Sequence, residues 1–201
     1  MPASELTALL LFAAAMSFSP GPNNTLSAAL AANHGLAHAM RFVCAVPVGW
    51  GLLLLGCTAG LGGLIQAVPV LHGVIKWVGL AYMLFLAWKL WHTDGLAQNG
   101  ASARLDVSFG QGVLLQFVNV KAWINALLVS AGWVATADGN TWQRLAIVLP
   151  LMMFYGLASN FSYALAGSAL RGWLAVGRRL SVFNRVLAAV LMATVIWMTT
   201  L

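Results

Sequence analysis

Apolar residues along this chain fall into six long runs, separated by short polar segments or by breaks rich in glycine and proline. A membrane-spanning helix needs about 20 mostly apolar residues. The runs at about 4–33, 42–67, 72–92, 107–134, 144–170 and 180–200 meet that length. The pattern predicts an all-α integral membrane protein with six transmembrane helices, forming a single domain over 1–201. A short turn around Pro69 joins the second run to the third, and the polar segment HTDGLAQNGASARLD follows. No stretch outside the runs is long enough to bury a soluble core.

The first run is interrupted by SPGPNN, Ser19–Asn24. Pro22 lacks a backbone donor and its ring clashes with the preceding turn, while Gly21 supplies no stiffness. Unbroken, the run would make a helix of about 45 Å at ~1.5 Å per residue, longer than the ~30 Å hydrocarbon core. Unwound backbone at that depth is tolerated only where protein buries it or a watery cavity faces it. Pro20, Gly21, Pro22, Asn23 and Asn24 are therefore candidate substrate-binding residues. The plainer alternative is a proline kink that serves packing.

The fourth run contains QFVNVKAW, and Lys121 is the one charge between Asp106 and Asp138. A lysine at a helix centre costs about 3 kcal/mol on insertion scales, so its side chain should face the bundle interior. All four acidic residues (Glu5, Asp94, Asp106 and Asp138) fall at run ends or in loops. Three states stay open for Lys121. It is neutral through desolvation, bonded to carbonyls of the broken first span, or reserved for an anionic ligand group. Gln116, Asn119 and Asn125 lie near it in sequence and complete the candidate site.

Composition supports the membrane reading, with 61% hydrophobic and 7% charged residues against roughly 25% charged in soluble domains. The net charge of +6 is scattered over the ends of the runs. That distribution argues against nucleic acid as a partner and for contact with anionic lipid. Loops one, three and five, with the adjoining span ends, carry Arg41, Lys89, Arg104, Arg171, Arg178, Arg179 and Arg185, whereas the other side carries Lys76 and Arg144. The positive-inside rule then places both termini outside the cytoplasm. Lys76, Lys89 and Arg185 sit where they can snorkel to headgroups. The nine Trp lie mostly toward run ends, as interfacial anchors do, with Trp123 the exception.

Cys44 and Cys57 lie in an uncharged stretch and read as small hydrophobes rather than a disulfide. Glu5 replaces the basic segment that a cleaved secretory signal needs, so the first run is expected to be retained. His34 and His38 have a spacing that suits a metal, yet no third ligand type is near and none is expected. Gly56 and Gly60 form GxxxG, a close-packing surface and secondarily a contact for a homo-oligomer. Asn160, Tyr155 and Tyr163 are polar enough to line a pathway, or to bond between helices.

The halves echo each other. RFVCAVPV from Arg41 is similar to RLAIVLPL from Arg144, and the pair Glu5/Pro20 is spaced like Asp106/Lys121, at offsets of 103 and 101 residues. Three spans per half would insert the second half upside down. The expectation is two inverted three-helix repeats, about 1–95 and 104–201, with helices 1 and 4 broken. Interrupted spans at corresponding positions of inverted halves point to a transporter's binding site.

SPGPNN and QFVNVKAW, taken together, resemble the motifs of the lysine-exporter/homoserine-threonine-exporter (LysE/RhtB) family of bacterial inner-membrane amino-acid exporters. The likeness covers essentially the whole chain. The family's Pro-Gly-Pro-Asn pattern matches Pro20, Gly21, Pro22 and Asn23, and its Asn-Pro-Lys pattern matches Asn119 and Lys121. Val120 stands where the family has proline, which removes one reason for the fourth span to unwind. QFVNVK also looks like the cysteine/O-acetylserine exporter branch. The resemblance implies proton-driven export of a small neutral amino acid, with no cofactor. A channel, a structural membrane subunit and a membrane-embedded enzyme are the rival classes. Against the last, the chain has no nucleophile-base-acid set, no HExxH and no phosphate loop.

Overall fold

The computed structural model describes residues 1–61, 67–93, 105–135 and 140–199. Asp94, Arg104 and Asp138, with most of the polar loop after the third run, lie outside the described residues. Eight α-helices are described and no strand among them: α1 Ala3–Phe18, α2 Pro22–His34, α3 Leu36–Thr58, α4 Pro69–Trp91, α5 Phe109–Val118, α6 Val120–Val129, α7 Thr141–Leu174 and α8 Arg179–Thr199. A π-helical turn, Ser130–Val134, extends α6. Helices α3, α4, α7 and α8 are long and apolar enough to cross a membrane. The remaining candidates are two bent pairs, α1 with α2 at 52° and α5 with α6 at 71°, which bring the count to six if each pair is one span.

Local chemistry explains the breaks. Proline at position 20 disfavours helical backbone at Ser19, which is extended at φ −62, ψ 136, and Pro22 then opens α2 at its first position. Gly35, at φ +90, closes α2 in a conformation that favours glycine. Helix α3 therefore begins at Leu36, six residues before the expected boundary, and Arg41 belongs to its helical body rather than to a loop. Pro69 is likewise the first residue of α4 rather than part of a turn. Ser108 and Gln111 form a reciprocal capping box at the start of α5.

The fourth span breaks without a proline. Asn119 caps α6, its Oδ1 accepting from the Lys121 backbone N–H at 3.1 Å. Just upstream, the Phe117 carbonyl accepts from the indole of Trp123 at 2.7 Å. The Val118 carbonyl seats against Gly79 of α4, where a Cβ would come within 1.8 Å of it. An asparagine side chain competing with the helical backbone, an indole donor and a glycine notch thus do what Val120 cannot.

The broken pairs pack across the molecule. Helix α2 lies along α7 and α5 lies along α3, while α4 pairs with α8. One core joins Leu26 and Leu30 to Phe42, Leu86, Leu115 and Leu191; a second joins Leu9 and Ala13 to Trp50, Leu54, Ala126 and Met152. Close approach depends on glycine. A Cβ at Gly49 would meet the Val113 carbonyl at 2.6 Å, and one at Gly167 would meet the Ala28 carbonyl at 2.2 Å. The expected GxxxG surface is not formed, because Gly60 lies beyond the end of α3 at φ +100. Pro47 and Pro150, the prolines of the echoing motifs, both lie inside continuous helices.

Polar ties fix both ends of the bundle. Asn33 and Asn184, fully buried, exchange amide bonds of 2.8 and 3.0 Å, and Asn184 also donates to the Thr93 carbonyl at 2.8 Å. His34 and His38 stack at 4.5 Å; the first meets the Leu105 carbonyl and the second Asp106. No metal-binding group of three ligands occurs among the described residues. At the other end Arg144 pairs with Glu5. Lys76 reaches the Thr199 carbonyl at 3.1 Å, and Lys89 and Arg185 lie over the rings of Phe85 and Trp91. Cys44 and Cys57 are free thiols.

The packing argument gives a paired test. Gly167→Ala should destabilise the detergent-purified protein by about 1–3 kcal/mol through overpacking against Ala28. Gly172→Ala, on the same helix with nothing within 4 Å, should leave the thermal unfolding midpoint unchanged or raised.

Candidate functional site

The end of α1 poses an accounting problem. The last four carbonyls of a helix have no intrahelical partner, and here they stop inside the bundle. Ala15 O accepts from the Ser19 N–H at 3.1 Å, and Met16 O from the Ser19 hydroxyl at 2.9 Å. Ser17 O accepts from Asn24 Nδ2 at 2.9 Å and from Ser159 Oγ at 2.7 Å. Phe18 O accepts from the Tyr163 hydroxyl at 3.1 Å. In the linker, Ser19 O receives Asn24 Nδ2 and Lys121 Nζ, each at 3.1 Å, and Pro20 O receives Lys121 Nζ at 3.4 Å. Lys121 Nζ also donates to Ser19 Oγ at 2.7 Å.

Of the three states left open by the sequence, the structure places Lys121 in the second. It donates to the C-cap residue Ser19 and to Pro20, just beyond the C-terminal end of α1, the negative end of the helix dipole. Its side chain runs over Gly21, where a Cβ would lie 3.1 Å from Nζ and 3.3 Å from Cδ.

Beside this linkage lies a cavity of about 570 Å³, including the part open to solvent. Its wall brings together the N-terminal residues of α2 (Pro22, Asn23, Asn24) and of α6 (Lys121, Ala122, Asn125), with Asn119 and Gly21 next to them. Met16 and Ser17 of α1, Pro47 and Trp50 of α3, and Met152 and Asn160 of α7 close it. Lys121 is the one charged side chain on that wall. Gln116 is fully buried and does not reach the wall; it exchanges amide bonds of 2.8 and 3.2 Å with Asn23 and donates to Gly112 O. It positions Asn23. Pro20 contributes its carbonyl to Lys121 rather than a surface to the cavity. Asn160 lines the wall and accepts from Ser27 at 2.9 Å, whereas Tyr155 packs among apolar residues.

Two wall residues carry buried polar atoms with no hydrogen-bond partner among the described residues: Asn125 Oδ1 and Trp50 Nε1. Trp50, Pro47, Ser159 and Met152 were not singled out by sequence reasoning. Trp50 lies eight residues inside the second run, a departure from the run ends that the sequence reading recognised only for Trp123.

Residues 14–197 match the family described as LysE type translocator. The chain is 30% identical over 187 residues to the cysteine/O-acetylserine efflux protein of Klebsiella pneumoniae, covering 92% of each chain. It is 30% identical over 182 residues to the protein of that description from Salmonella choleraesuis, and 29% over 179 residues to that from Escherichia coli (strain K12). In both comparisons 88% of this chain and 90% of the relative are covered. These relatives are efflux proteins, not enzymes. No solved structure matches the chain.

The role of Lys121 in satisfying the α1 terminus predicts a ligand-free effect. Lys121→Met strands the Pro20 carbonyl and leaves Ser19 O with Asn24 as its remaining side-chain donor, and should cost about 1–3 kcal/mol, seen as a lower unfolding midpoint without added substrate. Lys121→Arg, which keeps donors in reach, should lose less.

Proposed function

Because the chain belongs to the LysE type translocator family, we propose that it exports a small α-amino acid with an uncharged side chain across the bacterial inner membrane. The single observation that carries this reading lies on α6. Lys121 and Asn125 are four residues apart, so they share a helix face, and both border the cavity. The first is a cation and the second holds an unpartnered acceptor. A zwitterion offers the complement of both. Its carboxylate competes with the Ser19 and Pro20 carbonyls for the Lys121 ammonium, aided by the positive N-terminal ends of α2 and α6. Its ammonium donates to Asn125 Oδ1.

Charge sets the specificity. A substrate with a cationic side chain would place a second positive group beside Lys121, and no carboxylate lines the wall to offset it. Cysteine and O-acetylserine, named for the relatives, satisfy the charge requirement. Proton-gradient drive enters on family likeness; Lys121, as the one charged group on the wall, would then lie on the proton's route.

The transport cycle follows from the capping role. Once a carboxylate takes Lys121, the end of α1 loses its tie to α6, and the Asn23–Gln116 amide pair is left to hold the two broken spans together. Six spans in two inverted three-helix repeats would rock about that point, with both termini periplasmic by the charge bias. The cross-packing supports this arrangement, since each broken pair lies against the second long helix of the other half and the third helices pair together.

Counterflow with the purified protein in proteoliposomes tests the reading. Internal serine or cysteine should accelerate uptake of a labelled neutral amino acid with saturation, and lysine or arginine should not. Asn125→Leu should weaken apparent affinity about tenfold, the equivalent of one hydrogen bond to a charged group. Linear, unsaturable flux, or equal transport of lysine, would refute it.

A further inference from the structure

The indole of Trp50 is a buried donor left unused among the described residues. Trp50 is 7% exposed, and Nε1 has no acceptor among the described residues. The contrast with two less buried tryptophans is direct: Trp123 donates to Phe117 O at 2.7 Å and Trp133 to Glu5 O at 3.3 Å. Elsewhere around the helix break, Asn23, Asn24, Gln116, Lys121, Ser159 and Asn160 all have partners. A phenylalanine would fill apolar space at position 50 without desolvating an N–H, which is unfavourable when no partner receives it.

The side chain is also held in place. The flanking Gly49 and Gly51 let α3 press against α5 on one side and α7 on the other; Cβ atoms there would fall 2.6 Å from Val113 O and 3.2 Å from Met153 Sδ. Trp50 projects between these contacts into the apolar cluster with Leu53, Ala122 and Met152, and it borders the cavity. It stands on α3, whereas Lys121 and Asn125 are carried by α6.

We propose that Trp50 reads the substrate's side chain. Its indole N–H donates to a side-chain oxygen, so the cavity favours amino acids carrying a hydroxyl or ester oxygen over aliphatic ones of the same shape. This rests on the export reading, in which Lys121 and Asn125 hold the carboxylate and ammonium and leave Trp50 for the remainder. A thiol is a weak acceptor, so O-acetylserine should outcompete cysteine at this chain's site. Sites built to hydrogen-bond a substrate group discriminate strongly against analogues lacking it, because the site's own group then stays unpaired.

The test uses the whole chain in proteoliposomes with two nearly isosteric pairs: L-serine against L-2-aminobutyrate, and O-acetyl-L-serine against L-homoleucine. Wild type should prefer the oxygen-bearing member of each pair, on the order of tenfold. Trp50→Phe should bring the ratio close to one while the aliphatic members keep their apparent affinity, and Trp50→His, which retains a ring donor, should recover part of the preference. If Trp50→Phe keeps the wild-type ratio, or weakens both members of a pair equally, Trp50 is a packing residue and the proposal fails. If wild type transports amino acids but discriminates within neither pair, the Trp50 proposal alone falls. If wild type transports none, the export reading falls and takes it along.

Discussion

Backbone carbonyls cut off in the middle of an apolar bundle must find donors, and this fold is organised around that requirement. Helix α1 stops at Phe18; Ser19 closes the Ala15 and Met16 carbonyls, and the remaining carbonyls of α1 and of the linker are met by Asn24, Ser159, Tyr163 and Lys121 from α2, α7 and α6. Each of the latter donors belongs to another helix, so the break acts as a joint where α1, α2, α6 and α7 are tied together. Water could serve the same carbonyls at a surface. Within hydrocarbon it cannot, and the polar residues of the chain are concentrated accordingly.

This arrangement resolves the apparent cost of an unpaired intramembrane cation. Lys121 forms no ion pair with a carboxylate among the described residues, yet it is engaged by the Ser19 hydroxyl and by the carbonyls of Ser19 and Pro20. The same bonds make it a responsive group. Its partners are neutral dipoles, which a carboxylate can displace and a second ammonium cannot. In the proposed export reading, structure and recognition draw on one set of hydrogen bonds.

Much of the fold could be read from the apolar runs. The limits of the first and of the third to sixth runs match helix ends to within a few residues, whereas the second is offset from α3 at both ends: Gly35 sets a start that hydrophobicity alone does not mark, and α3 ends at Thr58 although the apolar run continues. The break at SPGPNN was legible because prolines act locally. The break at Asn119 was less so: it depends on Trp123, adjacent in space through the turn of α6, and on Gly79, 40 residues away in sequence. Such tertiary partners leave no local pattern. The candidate site divides the same way. Residues beside Lys121 and within the Pro-Gly-Pro segment were visible from chemistry at depth, whereas Trp50 reached the wall through the packing of α3 between two other helices. Gly56 and Gly60 show the reverse, a motif match whose second glycine lies past the end of its helix.

The reciprocal amides of Asn33 and Asn184 bear on how such a molecule can move. They pin the lower end of α2 to α8, and through the Thr93 carbonyl to the end of α4. Sliding α2 along its axis would sever the whole set at once, but tilting about that end leaves it intact. Were the ties of Asn23 and Asn24 at its other end released, α2 would act as a lever, with its fulcrum at the amide pair and its largest displacement at Pro22.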